Sequence, residues 1–189
     1  MSLACVPDAP RETRPEPSVI VARAPTVAPH EAPGETVPTA ARLGGPIPNG
    51  YRLSIPRLNI DLPITEGDIQ RDVVDQRTPE DAAFHLPGTV LPGEPGNTYL
   101  YAHARQGMFL TLWNARAGDL VFISTPQGAV LAYVVREVLP RVSPGDVSPA
   151  QPTATERLTL QTSTGPSASD PRFVVFANPA AWLDDDGWR

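Results

Sequence analysis

Residues 51–189 predict a mainly β domain, an antiparallel or mixed barrel or sandwich of seven or eight short strands. Three observations carry this. Runs of strand length recur, some alternating apolar with polar residues and some continuously apolar. Gly- and Pro-rich turns separate them, and helical spacing is confined to one or two short stretches.

In chain order, Tyr51–Ile60 alternates as a strand, with Pro56 marking an edge or bulge, and Asp61–Ile64 continues it after a kink. Residues 65–82 are polar and charged, with Ile69, Val73 and Val74 as their apolar contacts, and read as a loop holding one helical turn. The stretch from Phe84 to Asn97 repeats Pro-Gly steps. It predicts tight turns wrapping one end of the sheet and no regular element.

Thr98–His103 is a strand that delivers His103 at its C-terminal end, before the loop 104–107. Met108–Ala115, with Phe109, Leu110, Leu112 and Trp113, has the spacing of a short amphipathic core helix that stops at Ala117-Gly118. Leu120–Ser124 and Ala129–Leu139 flank Thr125-Pro-Gln-Gly128, a hairpin signal. A Pro-rich connection over 141–156, with a helical turn, leads to the strand around Leu158–Thr162 and then to Arg172–Ala177. Trp182 and Trp188, around Asp184–Asp186, are expected to pack back on the domain. The acidic triplet lacks the spaced ligands and glycine of a calcium loop and reads as solvated tail, so no metal is expected.

Residues 1–50 differ in kind. They hold ten of the 24 prolines and no Phe, Trp or Tyr. Such a segment cannot bury enough apolar surface to offset its ordering entropy, and predicts an extended or disordered tether. Met1-Ser2-Leu3 reads as an expression scar, leaving room for a native anchor upstream. Ala4-Cys5 fits the end of a bacterial lipoprotein cleavage site, while an incidental cysteine in a tail fits equally well. Membrane attachment would run through that missing anchor or a lipid on Cys5.

The net charge of −6 and pI near 5.0, with no basic run, argue against nucleic acid. All 15 basic residues are Arg, which excludes a Lys Schiff base, a P-loop lysine or a Ser–Lys dyad within this chain. The lone Cys5 excludes an internal disulfide framework and a thiolate metal site. No span approaches the roughly 20 apolar residues of a membrane helix, and no cofactor motif is present.

Chemistry gathers at three strand ends. His103 closes one strand; Ser163 closes the strand Leu158–Thr162, and Arg172 opens the next. A hydroxyl and a guanidinium at the mouths of one loop need a third group to become catalytic, and of the three histidines His103 is placed to supply it. His30 lies in the tether and His85 in the turn-rich segment.

At these residues the chain resembles the sortases, bacterial cysteine transpeptidases with a closed β-barrel. Ile55-Pro-Arg-Leu-Asn-Ile-Asp-Leu-Pro-Ile64 resembles their entry strands, and His85–Asn97 the segment before the catalytic strand in class E and F groups. Tyr99-Leu-Tyr-Ala-His103 is similar to the strand ending in the catalytic His, and Ala117-Gly-Asp119 to a recurrent turn. Thr159-Leu-Gln-Thr-Ser163 is similar to Thr-Leu-x-Thr-Cys, and Arg172-Phe-Val-Val-Phe-Ala177 to Arg-Leu-Val-Val-Phe-Ala.

The resemblance implies a closed barrel of seven to eight strands with one or two short helices. It implies His103, Ser163 and Arg172 as catalytic residues and Thr162 as a substrate contact. The partners it implies are a sorting-signal-like peptide and an amine acceptor from cell wall or pilin, on an extracytoplasmic protein anchored to the bacterial membrane. One position departs: Ser163 stands where the family carries Cys. A thiol titrates near pH 8.5 and is readily pushed toward thiolate, whereas a hydroxyl stays protonated and needs a positioned base. Three readings follow: a homologue that lost its nucleophile and binds peptide, a sortase acting through Ser163, and an engineered Cys-to-Ser form of an ordinary sortase.

Overall fold

The computed structural model describes residues 44–180. Most of the Pro-rich segment, Cys5, and the tail with Trp182, Trp188 and Asp184–Asp186 lie outside the described residues.

Eight strands close into one barrel in the order β1-β2-β3-β4-β7-β8-β6-β5. Their ranges are β1 Arg52–Ile55, β2 Ile60–Glu66, β3 Ala83–His85, β4 Asn97–Tyr101, β5 Leu120–Ser124, β6 Val130–Val142, β7 Arg157–Ser163 and β8 Arg172–Pro179. Closure removes the free edges that an open sheet of this size would present. Pro56, expected to mark an edge or bulge, instead opens a 3-10 turn, Pro56–Leu58, which ends at Asn59 in the left-handed region (φ 51°), a conformation asparagine tolerates. It lets β1 fold back antiparallel on β2, Ile55 opposite Ile60.

Alternation decides which side chains fill the barrel. Leu53 and Ile55, Ile60, Leu62 and Ile64, Leu100 and Ala102, Leu158 and Leu160, and Phe173, Val175 and Ala177 all join one buried core. The opposite parity on β4, β7 and β8 faces outward, and that face carries His103, Ser163 and Arg172.

The sequence reading needs adjustment in three places. The turn-rich stretch holds a strand at its start: β3 is three residues long, parallel to β2 and antiparallel to β4. Three residues are too few to show a period, and their partners are distant in sequence. Residues 108–115 do not form an amphipathic helix but a 3-10 turn, Leu110–Asn114. Phe109, just before the turn, and Leu112 within it are fully buried while Trp113 is 41% exposed. Packing on the barrel also begins before residue 51, because Ile47 is buried and its N–H donates to Glu66 Oε2 (2.8 Å).

Candidate active site

β4 and β7 run parallel in constant register, from Asn97 opposite Arg157 to Tyr101 opposite Gln161. Carried two residues further, that register sets His103 beside Ser163 on strands spaced about 4.8 Å apart. Antiparallel β8 places Arg172 directly opposite Ser163. The three sequence-predicted residues thus share one face and one end of the barrel, and each is half-buried.

Ser163 and Arg172 are in contact. Arg172 Nη1 donates to Ser163 Oγ (3.2 Å) and to the Asp170 carbonyl (3.1 Å), and Nη2 donates to the Ala168 carbonyl (3.0 Å). Carbonyls of the 164–171 loop therefore hold the guanidinium, and among the described residues no carboxylate pairs with it. Its charge stays available to an anion. The Ser163 hydroxyl donates to the Gly165 carbonyl (2.6 Å), so its proton is not directed at an imidazole in this state.

His103 is oriented by backbone. Its Nε2 lies 2.8 Å from the Thr78 carbonyl, an acceptor only, so Nε2 carries the proton and a neutral ring keeps Nδ1 as its basic nitrogen. Among the described residues no carboxylate bonds to this ring. The two acidic residues nearest in sequence pattern are otherwise engaged. Asp119 takes a bidentate contact from Arg57 and the Arg116 N–H (2.9 Å), and Asp170 Oδ2 accepts the Ser167 N–H (2.7 Å).

Thr162 is buried, and its hydroxyl donates to the Ala102 carbonyl (2.9 Å). It therefore ties the end of β7 to the end of β4 from inside, one residue before both His103 and Ser163. His85, by contrast, is enclosed away from this constellation, with Nδ1 against Glu66 Oε2 (2.8 Å) and Nε2 against Thr89 Oγ1 (3.0 Å) and the Val90 carbonyl (3.1 Å).

Three groups beside the site had no signal as such in the sequence. One is the Thr78 carbonyl. It sits on the 67–82 segment, which is strapped across the outer face of β4. Tyr101 donates its hydroxyl to Asp72 Oδ2 (2.5 Å), Arg71 chelates the same carboxylate, and the Arg71 guanidinium lies 5.2 Å above the Phe84 ring. Burial works to raise the Asp72 carboxyl, but Arg71, the Asp68 N–H and the Tyr101 hydroxyl outweigh it and hold the group below its ordinary value. Gly67 makes the strap's close approach feasible, since a Cβ there would run into the Tyr101 hydroxyl. The second is Trp113, whose indole N–H donates to the Ser163 carbonyl (3.1 Å). The third is Tyr99, which donates its hydroxyl to Gln161 Oε1; burial pushes its phenol well above the usual value, with the Arg172 charge working against that.

The arrangement puts a hydroxyl beside a cation, with an imidazole of fixed tautomer just past the end of the adjacent strand. A hydroxyl, a guanidinium and an imidazole on one face are groups that acyl chemistry at a carbonyl can use. Among the described residues no helix is long and apolar enough to cross a membrane.

Comparison with known proteins agrees with this fold. The sortase domain family model matches residues 53–180. Among solved structures, sortase C1 of GBS pilus island 1 aligns with 26% identity and a TM-score of 0.59, covering 74% of this chain and 68% of that one. A lid mutant of sortase A from Corynebacterium diphtheriae aligns with 26% identity and a TM-score of 0.60 over 74% of each chain. Sortase C-1 from Actinomyces oris aligns with 26% identity and a TM-score of 0.58, covering 69% of this chain and 73% of that one. No curated protein matches. With the family model spanning nearly the whole barrel, the chain belongs to the sortase family, a family of cell-surface transpeptidases.

Proposed function

We propose that the outer face of β4, β7 and β8 is a cleft for a sorting-signal-type peptide of a bacterial surface protein, and that turnover there is slow or absent because Ser163 stands at the nucleophile position. The observation that carries this is the Arg172–Ser163 contact on the face shared with the end of β4. A guanidinium without a carboxylate partner among the described residues provides the anchor for a peptide carbonyl or oxyanion. Thr162 contributes from behind, by fixing where Ser163 sits. The His85–Asn97 segment favours the class E/F branch of the family. The tether of residues 1–50 would connect the barrel to a membrane anchor or to a lipid on Cys5, with the barrel outside the cytoplasm, facing the cell wall.

Slow turnover follows from the hydroxyl. For attack, Ser163 must release the Gly165 carbonyl and pass its proton to His103 as Oγ bonds to the peptide carbonyl. The imidazolium then protonates the leaving amine, and water or an acceptor amine resolves the ester. A thiolate needs no such transfer during attack. In serine hydrolases a carboxylate stabilises the imidazolium, and a neutral carbonyl stabilises it less.

That same Thr78 carbonyl favours a second reading, a Ser163-dependent hydrolase or transpeptidase, since it fixes the ring tautomer a serine mechanism requires. An engineered Cys-to-Ser origin predicts Cys at codon 163 of the native gene. Calorimetry with a Leu-Pro-x-Thr-Gly-like peptide tests the main proposal: binding is expected, weakened about tenfold or more in Arg172→Ala, which is the loss of about 1.4 kcal/mol. Absence of binding with Arg172 intact overturns it. Labelling by an activated-serine probe that disappears in His103→Ala selects the second reading over the first.

A further inference from the structure

The end of β7 has an acceptor that the barrel's own ladder cannot satisfy. Thr164 N–H bonds the Pro171 carbonyl (3.0 Å), so by strand alternation the neighbouring Ser163 carbonyl points away from β8, toward β4. Two residues earlier, the Gln161 carbonyl points the same way and accepts the Ala102 N–H (3.2 Å). The next donor in a continuing ladder would be the N–H of residue 104. By then the chain has turned off, with Arg105 N–H folded back on the His103 carbonyl (2.9 Å). The donor that meets Ser163 instead is the indole N–H of Trp113 (3.1 Å).

Trp113 belongs to the same folded loop as His103. Phe109 N–H also bonds the His103 carbonyl (3.0 Å), and the Leu110–Asn114 turn is seated in the core by Phe109 and Leu112. One loop therefore displays the imidazole and reaches across to hold the backbone of the residue beside it. Trp113 is otherwise 41% exposed, much aromatic surface left in water for a residue whose side chain has no other polar contact among the described residues.

We propose that Trp113 is a positioning residue: its indole replaces the missing ladder donor and fixes the backbone of position 163 relative to His103. The inference rests on the proposed site, and its test separates the two. In the Ser163→Cys background, the rate at which iodoacetamide alkylates the new thiol reports activation by neighbouring cations. His103→Ala and Arg172→Ala should slow it at pH 7.5. Adding Trp113→Phe, which keeps an aromatic body and deletes the donor, should slow it about fivefold at pH 7.5, the effect of one hydrogen bond of about 1 kcal/mol. Above about pH 10, where thiols are ionised, the rate should stay within about twofold. A purely structural role would leave that pH contrast unchanged. Trp113→His, which restores an N–H donor, should recover part of the loss.

An alkylation rate that responds to His103 and Arg172 but not to Trp113→Phe overturns this inference alone. A rate indifferent to all three overturns the proposed site with it. Should Trp113→Phe fail to fold, the unsubstituted protein decides. Its Trp113 indole N–H, assigned by Trp182→Phe and Trp188→Phe, should exchange with solvent at least about tenfold more slowly than a free indole, and exchange at the free rate overturns the assignment.

Discussion

Asp119 shows how single residues set the frame around the site. Its carboxylate is buried at the start of β5, chelated by Arg57 and capped by the Arg116 N–H, and Arg57, aided by that N–H and the Arg116 charge, holds it below its ordinary value against the opposing effect of burial. Asp119→Ala should cost about 1.5–3 kcal/mol in urea unfolding at pH 7, the range for hydrogen bonds to a charged group. The sign with pH follows from the lowered value. The stabilisation is complete above the unfolded carboxyl range near pH 4 and is lost as pH falls through the folded value below it, so the gap between wild type and variant should narrow in acid. Equal gaps at pH 7 and in acid would contradict the role given to the carboxylate. At this scale the placement of His103, Ser163 and Arg172 near strand ends was legible, because the apolar runs define those boundaries. The Thr78 carbonyl was not, since a backbone group carries no residue signature.

Among the elements, the strap over residues 67–82 governs His103. It hangs on the Tyr101–Asp72 hydrogen bond and delivers the Thr78 carbonyl to the imidazole. Tyr101→Phe leaves Asp72 with one fewer donor and should raise amide exchange across 67–82 by about tenfold, equivalent to about 1.4 kcal/mol, while the strand amides of β7 and β8 stay protected. Unchanged exchange in the strap would show that other contacts hold it. Element type was readable where the apolar run was long, as in β6 and β8, and failed where it was short. The spacing of Phe109, Leu112 and Trp113 places all three on one side of an α-helix. At three residues per turn, 109 and 112 still eclipse but 113 is rotated by about 120°, which sends the indole outward to Ser163.

For the molecule as a whole, the barrel was foreseeable in strand number and composition, but not in order. Alternation says which face is buried and is silent on partners, so the parallel pairs β2–β3 and β4–β7 come from the structure alone. The second of these matters most, because it is what brings the strand ending near His103 beside the strand ending at Ser163. The packing of Ile47 and its N–H bond to Glu66 put residues 44–50 in the folded unit. A chain starting at Gly44 should melt within about 2 °C of the full chain, whereas one starting at Tyr51 should melt about 5 °C lower, the loss of roughly 1–2 kcal/mol of burial and hydrogen bonding. Equal melting of both shortened chains would remove residues 44–50 from the stable domain.

The most direct measurement is cleavage of Leu-Pro-x-Thr-Gly-like peptides by the Ser163→Cys variant, followed by mass spectrometry with and without an acceptor amine. If the face of β4, β7 and β8 is a sortase cleft lacking only sulfur, the variant cleaves or transfers the peptide at least about tenfold faster than the unsubstituted protein, by way of an acyl-enzyme. The added His103→Ala or Arg172→Ala change abolishes that gain. A folded Ser163→Cys variant that forms no acyl-enzyme with such peptides, or whose turnover ignores His103 and Arg172, would contradict the site.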